Sequence, residues 1–207
     1  MELKREFKAI VFDMDGVLID ARDWHYKALN DALEIFNETI SPQEHKESFD
    51  GLPTKEKLNL LSAEGRIPPH LHQIINEVKQ ERTLRAAAEL CFPNIEHLLM
   101  MDWLHRKQIR IGLATNSIRK TTLLFLQYAG LIDYFDVILT NEDVTYAKPS
   151  PEIYLEASKK LGFKPDQILV IEDSEFGYKS ALEAGCHVVK VDGPSQVNEN
   201  LVREYFG

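Results

Sequence analysis

Four acidic residues stand at the ends of two apolar runs. Asp13 and Asp15 follow FKAIVF (7–12) in Asp13-Met14-Asp15-Gly16, and Glu172 and Asp173 close ILVIED (168–173). Carboxylates gathered within a few ångströms cannot all stay ionised without a counter-charge, and a hard divalent cation supplies one. No cysteine or histidine lies near them in sequence, so the donor set is all oxygen, which suits Mg²⁺ rather than zinc. Mg²⁺ completes its shell with water and substrate phosphate. Two carboxylates spaced by two in an extended segment point the same general way. Asp13 can then attack phosphorus while Asp15 gives and takes the proton of the leaving or attacking oxygen. Thr115 and Asn116, after IRIGLA (109–114), offer a hydroxyl, an amide and backbone N–H groups to phosphoryl oxygens. Lys148, before Pro149, offsets charge that develops during transfer. Together these residues make a phosphoryl-transfer set.

The elements that must position them are short β-branched runs at 7–12, 109–114, 135–140, 168–173 and 187–191. Helical patterns separate the later ones, at Ile118 to Tyr128, Pro151 to Leu161 and Phe176 to Ala184. Gly130, Gly162 and Gly185 sit where those helices would end. Strands alternating with helices imply βαβ units and a doubly wound, parallel α/β core. Ligands of such sheets bind beyond the carboxyl ends of the strands, where every polar strand end named above falls.

The segment 21–92 breaks the alternation and carries helical patterns only. Trp24 to Phe36, Thr54 to Leu61 and Leu71 to Leu90 read as helices, and SPQEHKESFDGLP (41–53) reads as loop. The organisation expected is an α/β core of residues 1–20 and 93–207 with an all-helical cap, 21–92, inserted after the first strand. The two crossings would serve as a hinge.

These motifs resemble those of the haloacid dehalogenase superfamily, in the subgroup whose α-helical cap follows the first motif. The four family motifs are read in order in DMDGVLID (13–20), ATNS (114–117), KPSPEIY (148–154) and VIEDSEFGYKSALEAG (170–185). The resemblance implies that Asp13 is the phosphorylated nucleophile and Asp15 the general acid/base. It implies Mg²⁺ held by the Asp13 carboxylate, the Asp15 carbonyl and Asp173, with Glu172 supporting the metal or its waters. Thr115 and Lys148 match the family's phosphate-orienting hydroxyl and charge-balancing lysine, and Gly16 would keep the loop after Asp15 compact. A carboxylate at Asp15 argues against dehalogenases and phosphonatases, leaving phosphatase or phosphomutase. His25 stands where the similar sugar phosphomutases carry a cap histidine. Thr54, in Gly51-Leu52-Pro53-Thr54-Lys55, stands where they carry an arginine, Ala21 replaces a usual Thr or Ser, and ATNS differs from a mutase-like second motif. Hydrolysis of a small phosphomonoester is therefore expected, with a hexose phosphomutase of the β-phosphoglucomutase type as the alternative and a non-catalytic binding protein further behind. Arg22, Asp23, Trp24, His25, Lys55 and Lys79 are the candidates for reading the leaving group, with Lys79 a cap ligand for an anion.

Each motif also has an ordinary structural reading. DMDG can be an acidic turn, Lys148-Pro149 a surface lysine before a helix, and Thr115, Asn116 and Ser174 helix caps. The ordered set outweighs these readings. His70 and His72, two histidines with no third ligand, read as solvated, and Met100 and Met101 as core.

Composition narrows the partners. The 207 residues, 44 % apolar, suffice for a packed core, and 24 basic against 33 acidic residues give a net charge of −9. Such a chain lacks the electrostatic footprint of a nucleic-acid binder and is repelled by anionic membranes. MELKREFKAI puts charges where a signal peptide needs an apolar stretch, and no run is long enough to span a bilayer. A cytoplasmic monomer or weak homodimer acting on a small phosphorylated metabolite is expected, with Cys91 and Cys186 as reduced, buried thiols.

Overall fold

The structure, a computed structural model, describes residues 7–49 and 52–207; the expectations that fall on residues 1–6 and on Asp50 and Gly51 lie outside them. In chain order the elements are β1 (Ala9–Phe12), α1 (Arg22–Leu33), α2 (Pro42–Glu44), α3 (Thr54–Ala63), α4 (His72–Leu90), α5 (Ile95–Arg106), β2 (Arg110–Ala114), α6 (Arg119–Tyr128), β3 (Val137–Leu139), α7 (Glu152–Leu161), β4 (Ile168–Glu172), α8 (Glu175–Glu183), β5 (His187–Lys190) and α9 (Glu199–Phe206). They form two compact units. One joins the residues up to Asp20 with Phe92–Gly207, and the other is Ala21–Cys91, so Phe92 falls with the first unit.

In the first unit the described strands make one parallel sheet of order β3-β2-β1-β4-β5. β1 pairs with β2 from Ala9 opposite Arg110 and with β4 from Ala9 opposite Ile168. The chain moves from β1 toward β3 and then crosses back to β4, so the strand order reverses beside β1, where ligands of doubly wound sheets bind. β1 and β4 are covered on both faces, which is why AIVF and ILVI are apolar without alternation. On one face, Ala9, Val11, Ala114 and Val170 pack with Ile153, Tyr154, Ala157 and Leu161 of α7. Met100 and Met101 are buried on α5, which packs against β2 and α9. Gly130, Gly162 and Gly185 close α6, α7 and α8 with φ of 69°, 81° and 87°, the left-handed backbone that ends a helix at least cost in glycine.

The second unit is helical throughout its described elements. α1 packs along α4, and Leu29, Leu33, Phe49, Leu58, Leu61 and Ile75 fill the interior. Arg66 ties it together through Glu38 at 2.9 Å, Glu64 at 3.2 Å, the Thr39 carbonyl at 2.6 Å and a close pair with Glu44. Two expectations change here. The stretch 41–49 is not loop: Ser41 caps α2 by accepting from the Glu44 N–H at 3.2 Å, Glu44 accepts from the Ser41 N–H at 3.3 Å, and a π-type turn over His45–Phe49 buries Phe49. His72 is not simply solvated, since its Nε2 lies 2.6 Å from Ser62 Oγ. Cys91 and Cys186 are buried. Among the described residues no helix is long and apolar enough to cross a membrane.

Candidate active site

β1 and β4 end side by side, and this brings their terminal carboxylates together. Asp13 continues the sheet, donating its N–H to Ile171 O at 3.0 Å. One oxygen each from Asp13, Glu172 and Asp173 lies within 4.8 Å of the others. The chain leaves Asp13 in a tight turn, in which the Gly16 N–H donates to the Ile19 carbonyl and the Leu18 and Ile19 N–H groups donate back to the Met14 carbonyl. Gly16 has φ 85°, and a Cβ there would fall under 3.0 Å from Asp173 Oδ2 and Cγ. Glycine at 16 thus serves both the turn and the close approach of Asp173, whereas sequence reasoning saw only a compact loop.

Lys148 enters from the loop before α7 with its side chain buried. Its Nζ donates to Asp13 Oδ1 at 2.7 Å, to Glu172 Oε1 at 2.5 Å and to Ala114 O at 2.8 Å. Asn116 holds that loop: its Oδ1 accepts from the Lys148 N–H at 3.1 Å and its Nδ2 donates to the Lys148 carbonyl at 3.3 Å. The amide expected to face a phosphoryl group thus also places the backbone of the lysine. Thr115 is buried at the end of β2. Its Oγ1 accepts from the Ser117 N–H at 3.0 Å, so its own proton remains for an anion.

Burial pushes the Asp13 carboxyl well above the usual carboxylate range; Lys148 pulls it back, while Glu172, Asp173 and Asp15 push it further up. For Lys148, burial opposes the charged form, but Asp13 and Glu172 outweigh it and hold the ammonium above its ordinary range. One lysine among these carboxylates leaves negative charge in excess. Hard oxygen donors short of positive charge suit Mg²⁺, so the residues present fit that ion.

Three participants escaped the sequence reading. Ser117 Oγ donates to Asp15 Oδ2 at 2.7 Å, fixing one oxygen of the expected acid/base. Tyr154, on the buried face of α7, donates its hydroxyl to Glu172 Oε1 at 2.7 Å. Gly177, on α8, faces the Glu172 carboxylate so closely that a Cβ would overlap it. A buried tyrosine in the first turn after KPSP is the signal that was available, because its hydroxyl must find a partner. His25 and Lys79 belong to the helical unit, on α1 and α4, where Lys79 Nζ lies 3.2 Å from His25 Nδ1 and the lysine is buried.

The arrangement also has relatives. Residues 10–191 match the haloacid dehalogenase-like hydrolase family. The chain is 31 % identical to a phosphorylated carbohydrates phosphatase of Thermotoga maritima, over 86 % of this chain and 82 % of that protein. It is 30 % identical to a beta-phosphoglucomutase of Bacillus subtilis, over 94 % and 88 %. The crystal structure of a beta-phosphoglucomutase from Clostridium difficile superposes with a TM-score of 0.83, covers 97 % of each chain and, at 24 % identity, shares the fold. With a parallel sheet of this order, a helical insert after β1 and the carboxylate–lysine cluster at the strand ends, the chain belongs to the haloacid dehalogenase-like hydrolase family.

Proposed function

We propose that the protein is an Mg²⁺-dependent phosphatase that hydrolyses a small phosphomonoester, such as a sugar or polyol phosphate, through an aspartyl phosphate on Asp13. The observation that carries this reading is the Asp13 carboxylate, with Oδ1 held by the Lys148 ammonium and Asp173 alongside. Its Oδ2 attacks phosphorus and the bond to the leaving oxygen breaks. Asp15, whose carboxyl is oriented by the Ser117 hydroxyl, delivers its proton to that oxygen. In the second half Asp15 takes a proton from water, the water attacks the phosphorus, and phosphate departs with Asp13 restored. Thr115 Oγ1 donates to a phosphoryl oxygen, and Lys148 lowers the repulsion between Asp13 and its anionic substrate. The Asp13 and Asp173 carboxylates and the Asp15 carbonyl would hold Mg²⁺, which supplies positive charge against the transferring group.

Carbohydrate phosphates as substrates are supported by the Thermotoga maritima relative. The Bacillus subtilis relative keeps a mutase as the competing outcome. Thr54, in place of an arginine, weighs toward hydrolysis, and His25 and Lys79 are the pair we assign to reading the leaving group. The deciding assay is phosphate release from a panel of sugar and polyol phosphates with Mg²⁺, with EDTA and Asp13→Asn as controls. Metal-dependent turnover that Asp13→Asn abolishes is expected. Activity of the variant within about tenfold of the parent, or isomerised sugar phosphate exceeding free phosphate, would refute the assignment.

A further inference from the structure

Glu172 is counted above among the acidic groups that surround a metal, yet its hydrogen bonds describe another task. Its Oε1 accepts from Lys148 Nζ at 2.5 Å and from the Tyr154 hydroxyl at 2.7 Å. Its Oε2 accepts from the N–H groups of Asp173 at 3.1 Å and Ser174 at 3.3 Å, and from Ser174 Oγ at 3.2 Å. A carboxylate presents about four lone-pair directions, so these donors use them all. The side chain is fully buried and has Gly177 against it, which leaves no room to turn. Asp173, by contrast, is only half-buried. Tyr154 also lies beneath the lysine, whose Nζ is 5.0 Å from the centre of its ring.

We infer that Tyr154 is a positioning residue, whose hydroxyl locks Glu172 as the counter-charge of Lys148 and withholds it from the metal, leaving Asp13 and Asp173 as the side-chain ligands. The inference rests on the phosphatase reading for its kinetic consequence but not for its metal-binding one. Without the hydroxyl, Glu172 Oε1 has an open lone pair, and one of the three acceptors that fix the direction of the lysine is no longer held in place. Lys148 would then meet the phosphoryl group in the wrong place during transfer, while ground-state binding would change little.

Tyr154→Phe tests this, because the ring that fills the core is kept and only the hydroxyl goes. Steady-state kinetics on the best substrate of the panel give kcat and KM. Calorimetric titration with Mg²⁺ alone, without substrate, gives the metal affinity of the same protein and of Asp173→Asn. The expected result is a kcat lowered about tenfold, with KM and Mg²⁺ affinity within about twofold of the parent, and an Mg²⁺ affinity lowered more than about tenfold in Asp173→Asn. A tyrosine that only packs predicts an unchanged kcat in Tyr154→Phe, and that result would overturn the inference. So would a loss of Mg²⁺ affinity in Tyr154→Phe as large as in Asp173→Asn, since Glu172 would then be a ligand. If the parent released no phosphate, the phosphatase reading would fail by itself, and the calorimetry would decide: Mg²⁺ binding kept in Tyr154→Phe and lost in Asp173→Asn supports the assignment, and the reverse removes it.

Discussion

Replacing glycine by alanine inside a helix ordinarily stabilises it by up to about 1 kcal/mol, and Gly177 of α8 is such a position by sequence. The structure reverses the sign. A Cβ on Gly177 would lie under 3.0 Å from Cδ and both carboxylate oxygens of Glu172, and ordinary contact begins at 3.4 Å. The far end of a side chain yields cheaply when it is free to swing, but Glu172 is fully buried and held by Lys148, Tyr154, Asp173 and Ser174. Retreat lengthens bonds of 2.5 to 3.3 Å past hydrogen-bonding range. Each hydrogen bond to a charged group contributes about 1.5–3 kcal/mol, and stranding a buried charge costs about 3–5 kcal/mol. Against the helical gain, Gly177→Ala should therefore lower stability by about 2–4 kcal/mol and reduce kcat, because Lys148 loses one of its two carboxylate partners. Urea unfolding followed by circular dichroism, with Mg²⁺ chelated, measures the first, and phosphate release the second. Gly65→Ala is the control, since Gly65 has φ 75° with nothing within 4 Å of a built Cβ, so it carries backbone strain of about 1–2 kcal/mol without the collision. If Gly177→Ala proves as stable as the parent and keeps its kcat, the carboxylate is not anchored by these donors and the reasoning about Glu172 falls with it.

Two further predictions concern buried charge. Lys148→Met strands Asp13 and Glu172 without their ammonium and should destabilise the chelated protein by about 3–5 kcal/mol; added Mg²⁺ should recover more stability in the variant than in the parent, and equal recovery in both would count against a shared counter-charge role. His97, buried on α5 with Nε2 3.1 Å from Pro194 O, is held by burial below its ordinary value of 6.5, so the folded ring stays neutral while the unfolded ring takes a proton. The unfolded state then binds more protons, and the stability present above pH 6.5 is lost progressively as pH falls below it. His97→Gln should flatten this decline between about pH 7.5 and 5.5, read as the difference in urea midpoints; parallel declines in variant and parent would assign the acid sensitivity elsewhere.

What the amino-acid sequence discloses of this protein follows how local each signal is. The strands are legible because a parallel sheet buried on both faces requires continuous apolar runs, and the acids at 13, 15, 172 and 173 are legible because a polar residue abruptly ending such a run has nowhere to go but the strand's end. The capping box at Ser41 was equally local, a serine and a glutamate three apart with proline between them. The polar composition of 41–53 reads as loop, whereas the spacing within it is that of a helix start.

The rest depends on partners distant in the chain. Asn116 meets the Lys148 backbone 32 residues on, and from sequence its amide at a strand end is indistinguishable from a phosphate ligand. Tyr154 fits the apolar face of α7 so well that its pattern calls only for a large ring; nothing local says that the hydroxyl must answer a carboxylate 18 residues away. Glu172 and Asp173 are adjacent and chemically alike, yet one is fully buried and saturated by donors while the other stays half-buried beside Gly16. The difference arises from the pleat, which sends successive side chains to opposite sides of the strand end, one toward α7 and α8 and the other toward the turn after β1. Sequence can therefore supply the charge that a phosphoryl-transfer site requires, but the division of that charge between metal and lysine is settled only by packing.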